Sequence, residues 1–216
     1  MDSDASPASS NLLEAGLPRG KARLAGILLH GRDRTREEKV VLASAFQLAD
    51  IRWLAPSADT GSWYPGRFFD PVAANEPYLS QAVEQIDRVV EEAGEGGRLG
   101  PRQIFLVGFS QGACLALEYA LRRAGRCGAL VVFTGGIFGA PGEERSFPPG
   151  VLSGLRVLLT GSDADDWIPE ASTRETARIL TELGAEVQLR IYKGRPHIVS
   201  PGELAEAREF IQALAG

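Results

Sequence analysis

The sequence predicts an α/β fold with a mostly parallel central sheet and helices on both faces. Three observations predict it. From Arg23 onward, short apolar runs alternate strictly with amphipathic helical patterns, which requires crossover connections and so parallel neighbours. The apolar runs show little period-two alternation, as strands covered on both sides must. A length of 216 residues suits one such domain with a full core. Residues 1–20 are expected to be a flexible N-terminal segment, with Met1–Ser10 a disordered tail, and residues 21–216 a single domain.

The elements follow in order. Leu24–Leu29 reads as a buried strand ending at His30-Gly31. Thr35–Leu48 reads as a helix, with Thr35 and Glu38 spaced as a capping box. Ile51–Ala55 is a strand. Pro56–Pro77 has no period and carries Trp63, Tyr64, Phe68 and Phe69; loops that long are usually functional. Leu79–Glu92 places Leu79, Val83, Ile86 and Val90 on one helical face. Gln103–Val107 is a strand, and a helix runs from about Gln111 to Ala124. Ala129–Phe133 is a strand before a Gly/Pro-rich loop over Thr134–Gly150, and Leu155–Thr160 is another strand. Ser172–Leu183 is a helix with a second box, Ser172 with Glu175, and Gly184 as its stop. Val187–Tyr192 is a strand. Ser200–Leu214 is the last helix, with Pro201 in its first turn and Glu203 completing a third box.

Composition excludes several classes. The net charge is −5, and no Lys/Arg-rich block offers a nucleic-acid footprint. No stretch reaches the length of a membrane span, and Met1–Ser10 lacks a basic start and apolar core. A cytoplasmic location is the default expectation. Cys114 falls in a predicted helix and Cys127 beyond it, roughly 15–20 Å apart and too far to bridge. Both are expected to be free thiols packed as small hydrophobes.

The chemistry starts at Gly108-Phe109-Ser110-Gln111-Gly112, a G-x-S-x-G pentapeptide between a predicted strand and a predicted helix. That setting makes a sharp turn which lifts a serine hydroxyl clear of the sheet, as in α/β-hydrolases. The N–H of Gln111 would stand at a helix N-terminus, where an oxyanion could form. A serine needs a neighbour to take its proton. His30 precedes Ser110 and His197 follows it, and in this fold the order is Ser, acid, His. That order selects His197, on a loop at the end of a strand. His30 is expected to fix a turn. The loop after it, Gly31-Arg32-Asp33, could supply a second oxyanion donor, the N–H of Arg32. Asp163, Asp165 and Asp166 all follow the Leu155–Thr160 strand, and order leaves all three open as the acid.

These motifs resemble the carboxylesterase/phospholipase family that includes acyl-protein thioesterases. The likeness runs from about Leu24 to Phe210. It is carried by Leu29-His30-Gly31, Ser62-Trp63-Tyr64-Pro65, Asn75-Glu76-Pro77, the Ser110 pentapeptide, Ile168-Pro169 and His197. The resemblance implies an α/β-hydrolase with a Ser-His-Asp triad, and at this length no inserted lid domain is expected. Aligned on Ile168-Pro169, the family acid becomes Asp165. Asp166 then stands where Pro is usual, which keeps Asp163 as an alternative. Asp33 and Arg195-Pro196 are further departures. The expected reaction is hydrolysis of short to medium acyl esters through an acyl-enzyme, or of thioesters or lysophospholipids. A non-catalytic binding module with the same shell is the third reading. Neither metal nor organic cofactor is expected. The expected partner is a small-molecule ester or thioester, without nucleic acid or stable membrane insertion, and a homodimer is compatible with the sequence. Trp63, Phe68, Phe69, Phe138 and Trp167 are the expected pocket walls.

Overall fold

The computed structural model describes residues 12–215; the expected tail Met1–Ser10 lies outside them. Seven strands form one sheet: β1 (Leu12–Gly16), β2 (Leu24–Leu29), β3 (Ile51–Pro56), β4 (Ile104–Phe109), β5 (Ala129–Phe133), β6 (Arg156–Ser162) and β7 (Glu186–Tyr192). Their order is β1-β3-β2-β4-β5-β6-β7. All neighbours from β3 to β7 pair in parallel, and β1 pairs antiparallel with β3. The helices are α1 (Arg36–Ala45), α2 (Tyr78–Ala93), α3 (Gln111–Arg122), α4 (Glu170–Glu182) and α5 (Pro201–Gln212). Among the described residues no lid domain interrupts this order.

Period-two alternation within each strand builds two cores. Ala25, Ile27 and Leu29 of β2 and Ile104 and Leu106 of β4 face α2, α3 and α4. Leu24 and Leu28, with Phe105 and Val107, face α1 and α5 through Ala43, Phe46, Ala207, Phe210 and Ile211. Because both faces are covered, both sets of side chains are apolar, which is why the strands read as continuous runs.

Strand β1 corrects the expectation of a flexible segment through residue 20. Five residues with Glu, Ala and Gly carry little strand propensity, so no local signal marks them. Tertiary contacts hold them instead. Leu12 packs against one core, Leu13 and Ala15 against the other, and Glu14 binds Arg52 Nε at 2.9 Å. Arg52 is 1% exposed and also meets Glu92 and Glu95.

Helix ends follow local chemistry with two corrections. Thr35 Oγ1 accepts from the Glu38 N–H, but the Glu38 carboxylate binds Arg34 instead of closing the expected box, whereas Ser200 and Glu203 form a full capping box. The Ser172–Glu175 box does not form. The helix starts two residues earlier, because the Pro169 carbonyl already accepts from the Ser172 and Thr173 N–H groups. Glu175 instead binds Arg178. Cys114 and Cys127 are both buried and free. Burial pushes their thiols up to about 11 and about 12, respectively. Among the described residues, no helix is long and apolar enough to cross a membrane.

Candidate active site

Strand β4 ends at Phe109, and the chain reverses at Ser110 with φ 54° and ψ −117° before α3 begins. A serine in this sparsely populated backbone region is strained, and the close packing around it maintains the strain. Two glycines make that packing possible. A Cβ on Gly108 would lie 2.4 Å from the Gly112 carbonyl oxygen, and one on Gly112 would lie 2.4 Å from that of Leu29. The Ser110 N–H donates to the Phe133 carbonyl at 3.1 Å, tying the turn to the end of β5.

The loops after β6 and β7 deliver the other two groups. His197 Nε2 lies 2.9 Å from Ser110 Oγ, and its Nδ1 lies 2.8 and 3.0 Å from the two Asp165 oxygens. Asp165 Oδ1 also accepts from the N–H groups of Trp167 and Ile168, each at 2.9 Å. The carboxylate is therefore fully engaged and buried, while the imidazole is partly exposed. With Nδ1–H donating to Asp165, Nε2 is left as an acceptor for the serine proton. Asp163 does something else: its Oδ1 accepts from Gly194 N–H at 2.7 Å, fastening one loop to the other. Asp166 is exposed.

The two expected oxyanion donors lie on elements packed beside Ser110. A Cβ on Gly31 would be 3.6 Å from Ser110 Cβ, so the Gly31-Arg32 turn runs alongside the serine. Gln111 is the first residue of α3. Neither N–H, of Arg32 or of Gln111, bonds another backbone group among the described residues. Their side chains converge on one loop segment. Arg32 donates to Ser62 Oγ and to the carbonyls of Tyr64 and Gly66. Gln111 donates to Ser62 Oγ and the Tyr64 carbonyl, and accepts from the Trp63 N–H. The long loop is thus a strap across both donors, a role that composition alone did not reveal.

The aromatic residues divide. Trp63 is 3% exposed, stacks on His30 at 4.6 Å between ring centroids and donates to the His30 carbonyl. His30 Nε2 in turn accepts from Ala58 N–H, so this histidine fixes turns, as expected. Phe138 is 1% exposed and packs edge-on against Tyr64. Trp63 and Phe138 therefore anchor loops from beneath. Phe68 and Phe69 pack edge-to-face on each other and, with Ile137, Phe138 and Phe147, border a groove of about 750 Å³ along α4. Ser110 does not line it. Trp167 is 63% exposed with its ring centroid 6.2 Å from that of His197, and Phe109 lies at 4.9 Å. A second groove of about 460 Å³ lies at the opposite end of the sheet, beside Gly128 and Leu155.

A doubly covered parallel sheet whose central strand breaks into a helix through a strained serine defines the class: an α/β-hydrolase. The chain belongs to the phospholipase/carboxylesterase family, whose model matches residues 18–215. It is similar to the crystal structure of a phospholipase/carboxylesterase from Dyadobacter fermentans, with a TM-score of 0.85 and 33% identity over 94% of this chain and 96% of that one. A rice protein (Oryza sativa subsp. japonica) named a probable carboxylesterase is 26% identical over 85% of both chains. A second rice relative, 25% identical over 87% of this chain and 83% of its own, is named a probable inactive carboxylesterase. Acyl-protein thioesterase 1 of Saccharomyces cerevisiae is 27% identical over 61% of this chain and 58% of its own. The protein is a hydrolase of this carboxylesterase and thioesterase type.

Proposed function

We propose that the protein hydrolyses carboxylic esters of short to medium acyl chains through an acyl-enzyme on Ser110. The observation that carries this reading is the His197 imidazole, within hydrogen-bond distance of Ser110 Oγ on one side and Asp165 on the other. Ser110 Oγ attacks the ester carbonyl while neutral His197 takes its proton at Nε2. The Asp165 carboxylate holds the ring in the Nδ1–H tautomer and stabilises the imidazolium that forms. The N–H groups of Arg32 and Gln111 receive the negative oxygen of the tetrahedral intermediate; one such donor is worth on the order of 3 kcal/mol. His197 then protonates the departing alcohol. Water then attacks the acyl carbon as it gives a proton to the same nitrogen, and His197 returns that proton to Ser110 Oγ as the acyl–oxygen bond breaks and the acid leaves.

The chemistry requires no metal or organic cofactor. The exposed Trp167 beside His197 supports an apolar acyl or leaving group at the mouth. The yeast relative's name favours thioesters as a second substrate class on the same residues. Comparing kcat/KM for matched oxygen and sulfur esters separates the two.

A fluorophosphonate probe tests the central claim. It is expected to label Ser110 in the native protein, and Ser110→Ala is expected to lower p-nitrophenyl ester turnover by roughly 10³-fold or more while leaving the fold intact. Turnover retained in that variant refutes the assignment, and failure to label points to a non-catalytic shell.

A further inference from the structure

Arg195 is buried, yet its guanidinium is among the most engaged groups near the site. Nη1 donates to the Pro196 and Ile198 carbonyls, both at 2.7 Å. These are the carbonyls of the residues immediately before and after His197. Nη2 donates to Thr134 Oγ1 at 2.7 Å. Nε faces Glu203 Oε2 at 3.3 Å without forming a hydrogen bond. Nη1 also stands 3.7 Å from Asp165 Oδ2.

Thr134 is what makes this more than a loop tie. It is the residue after Phe133, whose carbonyl receives the Ser110 N–H, and it sits buried at φ 55°. Ser110 and His197 thus refer to one rigid point at the end of β5. The serine reaches it through its own N–H, and the histidine through Arg195. Elsewhere the histidine loop is held by Ser162 Oγ, which donates to the Arg195 carbonyl, and by Asp163.

The charges matter as well. The charged side chains on the segments around the imidazole are Asp163, Asp165 and Asp166 after β6, Lys193 and Arg195 after β7, Glu203 in the first turn of α5, and Arg32, Asp33 and Arg34 after β2. Of these, Asp165, Glu203 and Arg195 have buried side chains. Two carboxylates and one guanidinium leave the buried set with one negative charge in excess. Glu203 is itself held by Thr160 and Ser200, so it does not swing to pair with His197.

We infer that Arg195 is a positioning residue for the proposed reaction. It sets the place of the imidazole through the carbonyls of the residues on either side, and its guanidinium offsets part of the negative charge that Asp165 and Glu203 place beside His197. This rests on the triad reading above, and the test separates the two. Wild-type protein is first labelled with the fluorophosphonate; absence of labelling refutes the triad reading itself. With labelling established, kcat/KM is measured against pH for three variants. Arg195→Met removes a cation beside Asp165, so the acid limb of the profile moves to higher pH by about half to one unit, and the plateau falls about tenfold or more. Arg195→Lys restores the charge but not the fork that spans two carbonyls. Its acid limb stays at the wild-type position while its plateau remains lowered. Thr134→Val removes the anchor alone and lowers the plateau about threefold or more without moving the limb. This variant, with Arg195→Lys, decides the matter if Arg195→Met does not fold. Wild-type plateaus in Arg195→Lys and Thr134→Val overturn the positioning role. A limb that moves equally in Arg195→Lys and Arg195→Met, or in neither, overturns the electrostatic one.

Discussion

Asp165 holds His197 with Oδ2 at 2.8 Å from Nδ1, while its Oδ1 is fixed by the N–H groups of Trp167 and Ile168. The neighbouring Asp163 spends its Oδ1 on Gly194. The two acids therefore differ in kind. Asp165→Asn is expected to lower kcat by roughly 10³-fold or more, because an amide no longer selects the productive tautomer. Asp163→Asn still accepts from Gly194, so its loss is expected to stay within about tenfold. Steady-state kinetics on both variants check this; comparable losses would remove the distinction.

Gly112 packs where a side chain cannot go. A Cβ there would stand 2.4 and 2.6 Å from the Leu29 and His30 carbonyl oxygens, both backbone atoms of the adjacent strand end. Gly112→Ala must push α3 off β2, at a cost of about 2–4 kcal/mol. Thermal unfolding is expected to shift down by roughly 5–10 °C. An unchanged Tm would mean the turn has more room than the backbone distances allow.

Ser62 joins the two proposed oxyanion residues. Its hydroxyl accepts from Arg32 Nη1 at 3.0 Å and Gln111 Nε2 at 2.9 Å, and donates to the Tyr64 carbonyl. Ser62→Ala loosens the strap without touching the reacting atoms. The expected result is kcat lowered about three- to tenfold with KM within about twofold, since the donors matter most in the transition state. A loss confined to KM would assign the strap to substrate binding instead.

Arg52 predicts an acid-sensitive edge. It is buried among Glu14, Glu92 and Glu95. Burial works to raise the Glu92 carboxyl, but hydrogen bonds from Arg52 and Arg19 outweigh it and hold the group below its ordinary range. The Arg98 hydrogen bond does the same for Glu95. A carboxylate depressed on folding stabilises above its unfolded pKa, and that stability is lost as pH falls through the folded value. The window is therefore about pH 4 and below. Arg52→Met is expected to cost roughly 3 kcal/mol at neutral pH and to flatten the acid slope of stability. Denaturant melts between pH 7 and 3 measure both; a parallel slope in the variant would remove the linkage.

Much of the fold was legible because the strands β2 to β6 are covered on both faces and so leave unbroken apolar runs between helical patterns. Element ends were legible where a side chain closes its own helix, as at Ser200 and Glu203, and not at Ser172, where Pro169 had already begun the turn. Strand β1 was invisible because its hold comes from Arg52, far along the chain. At the site, Ser110 and His197 could be named from the pentapeptide and from chain order. Arg195 showed only as a departure from the family pattern, and Ser62 only as part of a motif.

The sequence by itself determined the doubly covered parallel sheet, the turn at Ser110 and the histidine to pair with it, since hydrophobic period, glycine placement and chain order are local properties. Tertiary structure alone decided which aspartate faces that histidine, which aromatic residues became anchors and which stayed at the mouth, and that a buried arginine stands behind the imidazole. Those choices depend on how the ends of β5, β6 and β7 and their loops meet in space, and distances between residues remote in the chain are set only when the sheet closes against its helices.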